Sequence, residues 1–332
     1  MTAIPATFPA FRIHSDDAGY RAGIEPVSLD QLSPGEVVIR ATHSSVNYKD
    51  ALAGTGKGKI LRSFPLVGGI DVAGHVAAST DPRFREGDAV LVTGRGLGET
   101  RDGGYAQYVR VDADMAVPLP SGLDLREGMI LGTAGFTAAL ALVRMTRNGQ
   151  VPEMGPLAVT GATGGVGSLA VDIYTAAGFE VHAVSGKADR AGYLKELGAS
   201  QVLGRDALQT SRPLETARFG GGIDNVGGPM LASLLAQTCP YGNVGSAGLA
   251  ADHRLDATVM PLILRGVSLL GVASTEPPAE LRDEVWQRLS GDWRPRHLDR
   301  ICTREATLEQ LPDVFDSMLA GGSLGRTVVT LS

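Results

Sequence analysis

Four glycines stand within seven residues, at Gly161, Gly164, Gly165 and Gly167. Glycine adopts positive φ without steric cost, so such a run makes a tight turn whose backbone an anion can approach closely. If a helix follows the turn, its free N–H groups and the positive end of its dipole hold that anion. Against the pattern G-x-G-x-x-G the stretch reads Ala162-Thr163-Gly164-Gly165-Val166-Gly167, with Ala in the first place. Farther on stands Ser185-Gly186-Lys187. A dinucleotide site for NAD usually has Asp or Glu there, accepting from the ribose 2′-hydroxyl. A carboxylate repels a 2′-phosphate, whereas a hydroxyl and an ammonium attract it, each charge-assisted contact being worth roughly 1.5–3 kcal/mol. These residues therefore predict NADP(H). The plainer readings are a glycine turn without ligand, or a solvated Lys187 with Asp189 serving NAD.

The elements that must position this turn are legible on either side of it. Leu157–Thr160 is a short apolar run of the kind that forms a strand buried on both faces. Ser168–Ala177 is helical in composition and Gly178 stops it, and Val181–Val184 is a second buried strand. Strand, glycine turn, helix and strand make a βαβ unit. The alternation continues through Val202–Leu203, Gly222–Val226, a helix at Met230–Thr238, Tyr241–Ala247, a short helix at Met260–Arg265, and Ser268–Val272. It predicts an α/β fold with a doubly wound parallel sheet. Gly132–Val143 reads as an apolar helix ahead of the glycine motif. Before about residue 125 the texture is strands and turns: Phe8–Ile13, Glu36–Ala41, Leu66–Ala73, Ala89–Val92 and the stretch after Gly103. Pro277–Leu289 and Thr307–Leu319 read as helices, and Gly325–Leu331 as a closing strand that rejoins the first region.

The 332 residues suggest two domains, and 43% hydrophobic with 20% charged residues is ordinary globular composition. A net charge of −6 gives nothing to attract nucleic acid. Two cysteines, Cys239 and Cys302, are too few for a disulfide framework and point to a reducing cytoplasm. The first residues lack the basic and apolar regions of a signal peptide. No uninterrupted apolar run approaches the length of a membrane span, so none is expected.

The runs SSVNYKDALAGTGKGKI, GGIDVAG, LGTAGFTAA, VTGATGGVG, LGAS and GRTVV fall in an order that resembles the medium-chain dehydrogenase/reductase superfamily, in its zinc-free, quinone-oxidoreductase-like branch. Within that branch NYKDAL, TGKGKI, VSGK, LGRD and MPLILRGVSLLGVAS resemble the NADPH-dependent acryloyl-CoA reductases. The resemblance implies a Rossmann sheet of order 3-2-1-4-5-6 plus a β-rich GroES-like catalytic domain. It implies a catalytic domain at 1–127, an NADP-binding domain at 128–273, and a return at 274–332. The implied reaction is reduction of the C=C bond of acryloyl-CoA to propionyl-CoA, the alternative being a quinone or alkenal reductase of the same fold. A different class, an idle NADPH-binding relative, also belongs to the branch.

The implied site is specific. Asn47 and Tyr48 would face the nicotinamide, with Tyr48 either donating a proton or only holding cofactor while water supplies the proton. Thr163, Gly164, Gly165, Val166 and Gly167 would hold the phosphates, and Arg205 would join Ser185, Gly186 and Lys187 at the 2′-phosphate. Leu249, Ile263, Ser274 and Arg326 would line the nicotinamide half or its phosphates. For Leu249 and Ile263 core packing is the alternative, and for Arg326 a surface salt bridge. Asp71 in the family is structural or cofactor-adjacent. Lys57, Lys59 and Arg62 would meet CoA phosphates, or form a solvated loop. No metal is expected, because His14, His43, His75, His182, His253 and His297 show no ligand spacing, and His75 lies in GHV where a zinc enzyme could have GHE. Two departures stand out: Lys187 occupies a place where relatives often have Arg, and Gly69 one where the family usually has Pro. A homodimer through the edge strand 268–272 completes the expectation.

Overall fold

The computed structural model describes residues 4–331, and the chain divides into two compact units. One runs up to Thr133 and resumes at Cys302; the other is Ala134–Ile301. In chain order the first unit contains β1 (Phe8–Asp16), β2 (Gly19–Val27), β3 (Val37–Ser45), α1 (Tyr48–Thr55), β4 (Leu66–Val67), β5 (Asp71–Ser79), β6 (Ala89–Thr93), β7 (Tyr108–Val111) and β8 (Val117–Pro118). Helix α2 (Leu125–Arg147) carries the chain out of this unit. The second unit contains β9 (Leu157–Thr160), α3 (Gly165–Ala176), β10 (Val181–Val184), α4 (Ala191–Glu196), β11 (Gln201–Leu203), β12 (Phe219–Asp224) and α5 (Gly228–Ala236). It continues with β13 (Thr238–Ser246), α6 (Met260–Arg265), β14 (Ser268–Gly271), α7 (Ala279–Ser290) and α8 (Leu298–Ile301). The chain closes in the first unit with β15 (Cys302–Ala306), α9 (Leu311–Leu319) and β16 (Arg326–Thr330).

In the second unit six parallel strands follow the order β11-β10-β9-β12-β13-β14. Counted from β9 as the first strand, that is 3-2-1-4-5-6, the Rossmann order. β9, β10 and β12 are buried at every residue, as apolar runs in a doubly covered parallel sheet should be. β12 starts at Phe219, three residues before its expected start at Gly222. Its three glycines read as turn residues in sequence, yet Cβ atoms at Gly220, Gly221 and Gly222 would lie 2.6, 2.4 and 2.3 Å from the backbone oxygens of Gly155, Asn243 and Ala158. They are glycine because neighbouring chain approaches too closely for a side chain.

The first unit holds a mixed sheet, β15-β16-β3-β5-β6-β8, with β7 also on β3, and a three-stranded sheet β2-β1-β4. One edge of β3 is shared, Val37–Arg40 pairing with β7 and His43–Ser45 with β16. The closing strand β16 thus rejoins the first region directly beside the residues that lead into α1. The single strand expected at Leu66–Ala73 is two, β4 and β5, parted at Gly69. There φ is +96°, where a Cβ would lie 2.9 Å from the Tyr105 ring. Proline, fixed near φ −65°, does not fit that conformation. β2, α1 and β15 carry no clear sequence signal: β2 is largely exposed and lacks alternation, and α1 is only eight residues long.

Residues 274–301, read in sequence as part of the return, pack in the second unit. Trp286 of α7 is buried with its ring centroid 5.8 Å from that of Phe136, and the buried Asp172 carboxylate accepts from the N–H groups of Arg296 and His297. α2 is the one helix among the described residues long and apolar enough to cross a membrane, although charged residues interrupt it. With 89% of its apolar window buried, it is a core helix.

Candidate functional site

The glycine turn has the geometry its composition requires. Gly161 lies at φ +60°, its carbonyl accepts the Gly164 N–H, and α3 starts at Gly165 with no side-chain cap. The first N–H groups of the helix are therefore available to an anion. A Cβ on Gly167 would sit 2.3 Å from the Gly161 oxygen and 2.6 Å from the Ala162 Cα, so only glycine lets helix and turn approach this closely. Thr163 is buried, and its hydroxyl lies 3.4 Å from that of Ser185 at the end of β10.

A small cleft beside this turn is lined by Gly161, Thr163, Ser185, Gly186, Lys187 and Arg205, with Val184, Val226 and Met230 behind. The Ser185 hydroxyl accepts the Lys187 N–H at 3.0 Å. The Arg205 guanidinium lies over Gly186, so close that a Cβ there would be 2.6 Å from Nε. Burial, followed by the cations of Arg190 and Arg205, pushes the Lys187 ammonium below its ordinary pKa. Positive charge crowded at a strand end is relieved by a dianion, which is what a 2′-phosphate brings. Asp189, the carboxylate that would serve NAD, turns to Arg190 at 3.0 Å with a side chain 68% exposed.

Nearby, at the switch point between β9 and β12, Asp224 accepts from the Thr160 hydroxyl and from the N–H groups of Val226 and Gly227. Asn225 donates Nδ2 to the Thr160 carbonyl at 2.8 Å, while its buried Oδ1 has no hydrogen-bond partner. Neither residue belongs to a motif that sequence reading would single out.

The first unit contains a second constellation, built around two buried carboxylates. Asp71 is fully buried and accepts from the Ser45 hydroxyl (2.5 Å), Asn47 Nδ2 (2.8 Å), and both the N–H and the hydroxyl of Thr133. Arg326 faces it, Nη2 lying 3.8 Å from Asp71 Oδ2. Asp50, also buried, accepts the Asn47 N–H at 2.8 Å and the Ile70 N–H at 2.9 Å. Burial, followed by the neighbouring Asp71 carboxylate, pushes the Asp50 carboxyl up to about 7. Burial and both carboxylates hold the Tyr105 phenol well above its usual pKa, and its hydroxyl donates to the Ser45 carbonyl at 3.1 Å.

Three expected site residues are held by hydrogen bonds within the protein. Arg326 is neither a surface salt bridge nor an available phosphate ligand. It is 3% exposed, and its donors are taken by Ile130 O, Val46 O, Asn47 Oδ1 and Ser45 Oγ. Asn47 spends its amide on Asp71 and Arg326, so it orients its neighbours rather than reaching a substrate. Ser274 accepts the Thr137 hydroxyl at 2.8 Å. Tyr48, the first residue of α1, is 48% exposed. Leu249 and Ile263 are 65% and 73% exposed, which removes core packing as their explanation. Lys57, Lys59 and Arg62 are exposed, and Lys57 Nζ lies 4.0 Å from Asp316. Asp50 was missed, though Asn47 followed three residues later by an acid is a helix-start pattern. Among the described residues no group of three His, Cys, Asp or Glu side chains gathers to hold a metal ion.

A Rossmann sheet with a glycine turn, joined to a mixed-sheet unit, is the architecture of a dinucleotide-dependent oxidoreductase. The family model described as alcohol dehydrogenase GroES-like domain matches residues 33–121, and that described as zinc-binding dehydrogenase matches residues 165–291. The Bacillus subtilis protein YhfP, described by name as a quinone oxidoreductase, is 44% identical over 98% of this chain and 99% of its own. The acrylyl-CoA reductase AcuI of Ruegeria pomeroyi is 44% identical over 94% of this chain and 95% of its own. The chain belongs to the medium-chain dehydrogenase/reductase family. Among solved structures, Escherichia coli YhdH with bound NADPH superposes with a TM-score of 0.93 at 44% identity, covering 97% of this chain and all of that one. Bacillus subtilis yhfP with NAD bound superposes with a TM-score of 0.95 at 42% identity, covering 98% and 100%.

The Asp50 carboxyl gives a pH signature. Its pKa is raised from 3.8 to about 7 on folding. Its contribution to stability is thus fully present below pH 3.8 and is lost as pH rises through about 7. In Asp50→Asn this dependence should vanish. The Tm of the natural protein minus that of the variant should fall by several degrees between pH 4 and pH 7.5, at about 2–4 °C per kcal/mol. A Tm difference flat across that range would show that Asp50 does not titrate there.

Proposed function

We propose that the protein reduces the C=C bond of acryloyl-CoA to give propionyl-CoA, with NADPH as reductant. The observation that carries the reading is the cationic cleft at the end of β10, where Ser185, Lys187 and Arg205 meet beside the glycine turn. The similarity to an acrylyl-CoA reductase over nearly the whole chain supplies the substrate. The cradle fits the cofactor: a side chain is excluded at Gly167, where helix and turn meet backbone to backbone, and positive charge stands where a 2′-phosphate would lie. When bound, NADPH supplies a hydride to the β-carbon of the enoyl thioester.

The protein's own residues do the rest. Thr163 to Gly167 hold the phosphates by backbone N–H groups and the start of α3. Ser185, Lys187 and Arg205 hold the 2′-phosphate, Gly186 leaving room for the guanidinium. Tyr48, the exposed hydroxyl at the start of α1, holds the nicotinamide end, and a proton from Tyr48 or from water reaches the α-carbon. Leu249 and Ile263 present apolar surface, and Ser274 a hydroxyl, to the cofactor. Lys57, Lys59 and Arg62 form an exposed basic loop suited to the phosphates of a CoA carrier. The reaction needs no metal, since negative charge on the thioester oxygen can be met by hydrogen-bond donors. A second reading, a quinone or alkenal reductase, is favoured by the name of YhfP.

The reading extends to a cytoplasmic homodimer. The free cysteines Cys239 and Cys302 suit a reducing compartment, which cell fractionation checks. Among the described residues β14 is an edge strand of its sheet, and Leu262, Ile263 and Leu264 of α6 are exposed, so a second copy could continue the sheet. Sizing chromatography should give twice the 34.5 kDa chain mass, and a monomer would refute the dimer.

Turnover of acryloyl-CoA, crotonyl-CoA and a benzoquinone, each with NADPH and with a chelator present, tests the reaction. Acryloyl-CoA should be fastest and the chelator without effect. Fastest turnover of the quinone would favour the second reading, and a rate restored only by zinc would refute metal independence. Replacing both Lys187 and Arg205 by Ala should weaken NADPH binding about 100-fold or more and NADH binding little. Equal losses for the two would sink the 2′-phosphate assignment.

A further inference from the structure

Arg326 opens β16, which runs antiparallel to β3 with Val328 opposite Ser45. Its guanidinium spans two segments distant in sequence. On one side Nη1 donates to Val46 O and to Asn47 Oδ1, both at 3.0 Å, and Nη2 to the Ser45 hydroxyl at 2.7 Å. On the other, Nε donates to Ile130 O at 2.9 Å and Nη2 reaches Met129 O at 3.5 Å. The first segment is the last residue of β3 and the turn that starts α1. Asn47 is clamped there from both ends of its amide, Oδ1 by Arg326 and Nδ2 by Asp71, and its backbone N–H is held by Asp50. The next residue is Tyr48.

We infer that Arg326 is a positioning residue, which acts through Asn47 to fix the turn that presents Tyr48, and that it does not bind cofactor phosphate. This deepens the proposed reaction and rests on that reading for the role of Tyr48. A planar fork with five donors is what the arrangement needs. A lysine in its place keeps the charge opposite Asp71 but brings three donors from a single point, too few and too narrow for acceptors on both segments. The turn would then keep its charge balance and lose its anchoring. Misplacing a reacting group by about 1 Å costs about 100-fold in rate.

The test compares Arg326→Lys, Asn47→Ser and the double variant. Hydrogen exchange is read first, at the bonded amides of Asn47, Asp50 and Ala51, without substrate or cofactor. Exchange should quicken about tenfold or more in Arg326→Lys while that of β6 is unchanged; unaltered exchange at the turn overturns the inference. Because this readout needs no turnover, it stands even if acryloyl-CoA proves not to be the substrate. The affinity for NADPH is read by nicotinamide fluorescence, and kcat with whichever substrate the natural protein turns over fastest. Each single variant should lose about 10–100-fold in kcat with NADPH affinity within about threefold of natural. The double variant should lose little more than the worse single one, since both residues act on the same turn. A tenfold or greater loss of NADPH affinity with kcat retained would make Arg326 a cofactor ligand instead. Losses that multiply in the double variant would separate Arg326 from Asn47. Should Arg326→Lys fail to fold, Asn47→Ser decides alone: natural kcat in that variant overturns the inference.

Discussion

A helix is broken at Gly132, and the first unit is organised around the break. φ and ψ there are 46° and −154° within α2, and a Cβ would meet Asp71 Oδ2 at 2.6 Å and Arg326 Nη2 at 3.0 Å. The break creates two helix ends in the middle of one apolar segment, each with orphan backbone groups. The carbonyls of Met129 and Ile130 on the near side accept from Arg326, and the N–H of Thr133 on the far side donates to Asp71. A cation thus sits at a helix C-terminus and an anion at a helix N-terminus, each placement favourable by about 0.3–2 kcal/mol. Burying two charges is costly, and it succeeds here because nearly every lone pair and N–H of the pair has a partner. The same pair then reaches Ser45 and Asn47, so the turn into α1 depends on it as much as the helix break does.

In the second unit close approach governs in a different way. Gly167 lets α3 lie against the turn after β9, the three glycines of β12 let chain pass at backbone distance, and Gly186 makes room for a guanidinium. Each is a side chain withheld so that something else can come near. Around the cleft so formed, burial and the cations of Arg190 and Arg205 lower the Lys187 pKa more than the Asp189 carboxylate raises it. Such a site favours a ligand of multiple negative charge, which discriminates between dinucleotides more sharply than shape does.

One matching family model carries zinc in its description, yet the described residues offer no three-ligand cluster. In the first unit the polar core is instead a hydrogen-bonded set of Asp50, Asp71, Asn47, Ser45 and Arg326. Such a set can set the shape of a turn and the protonation of a buried carboxyl.

The sequence by itself determined the elements of the second unit: its turn is spelled by Gly161 to Gly167, the alternation of strands and helices calls for a parallel sheet, and the family resemblance implied the strand order. It also carried the family resemblance and set Ser185 and Lys187 at the end of the second strand, while Arg205 came with the resemblance alone. Only tertiary structure decided the rest. α1 is too short to show a period, the start of β12 hides behind glycines, and residues 274–301 choose their unit by the packing of Trp286 and Asp172. Arg326 lies 255 positions from Asp71 along the chain, and no local pattern states that its guanidinium is spent inside the core rather than on a ligand. Propensity and spacing act over a few residues, whereas the number of donors left free on a buried side chain is fixed by segments that meet only after folding.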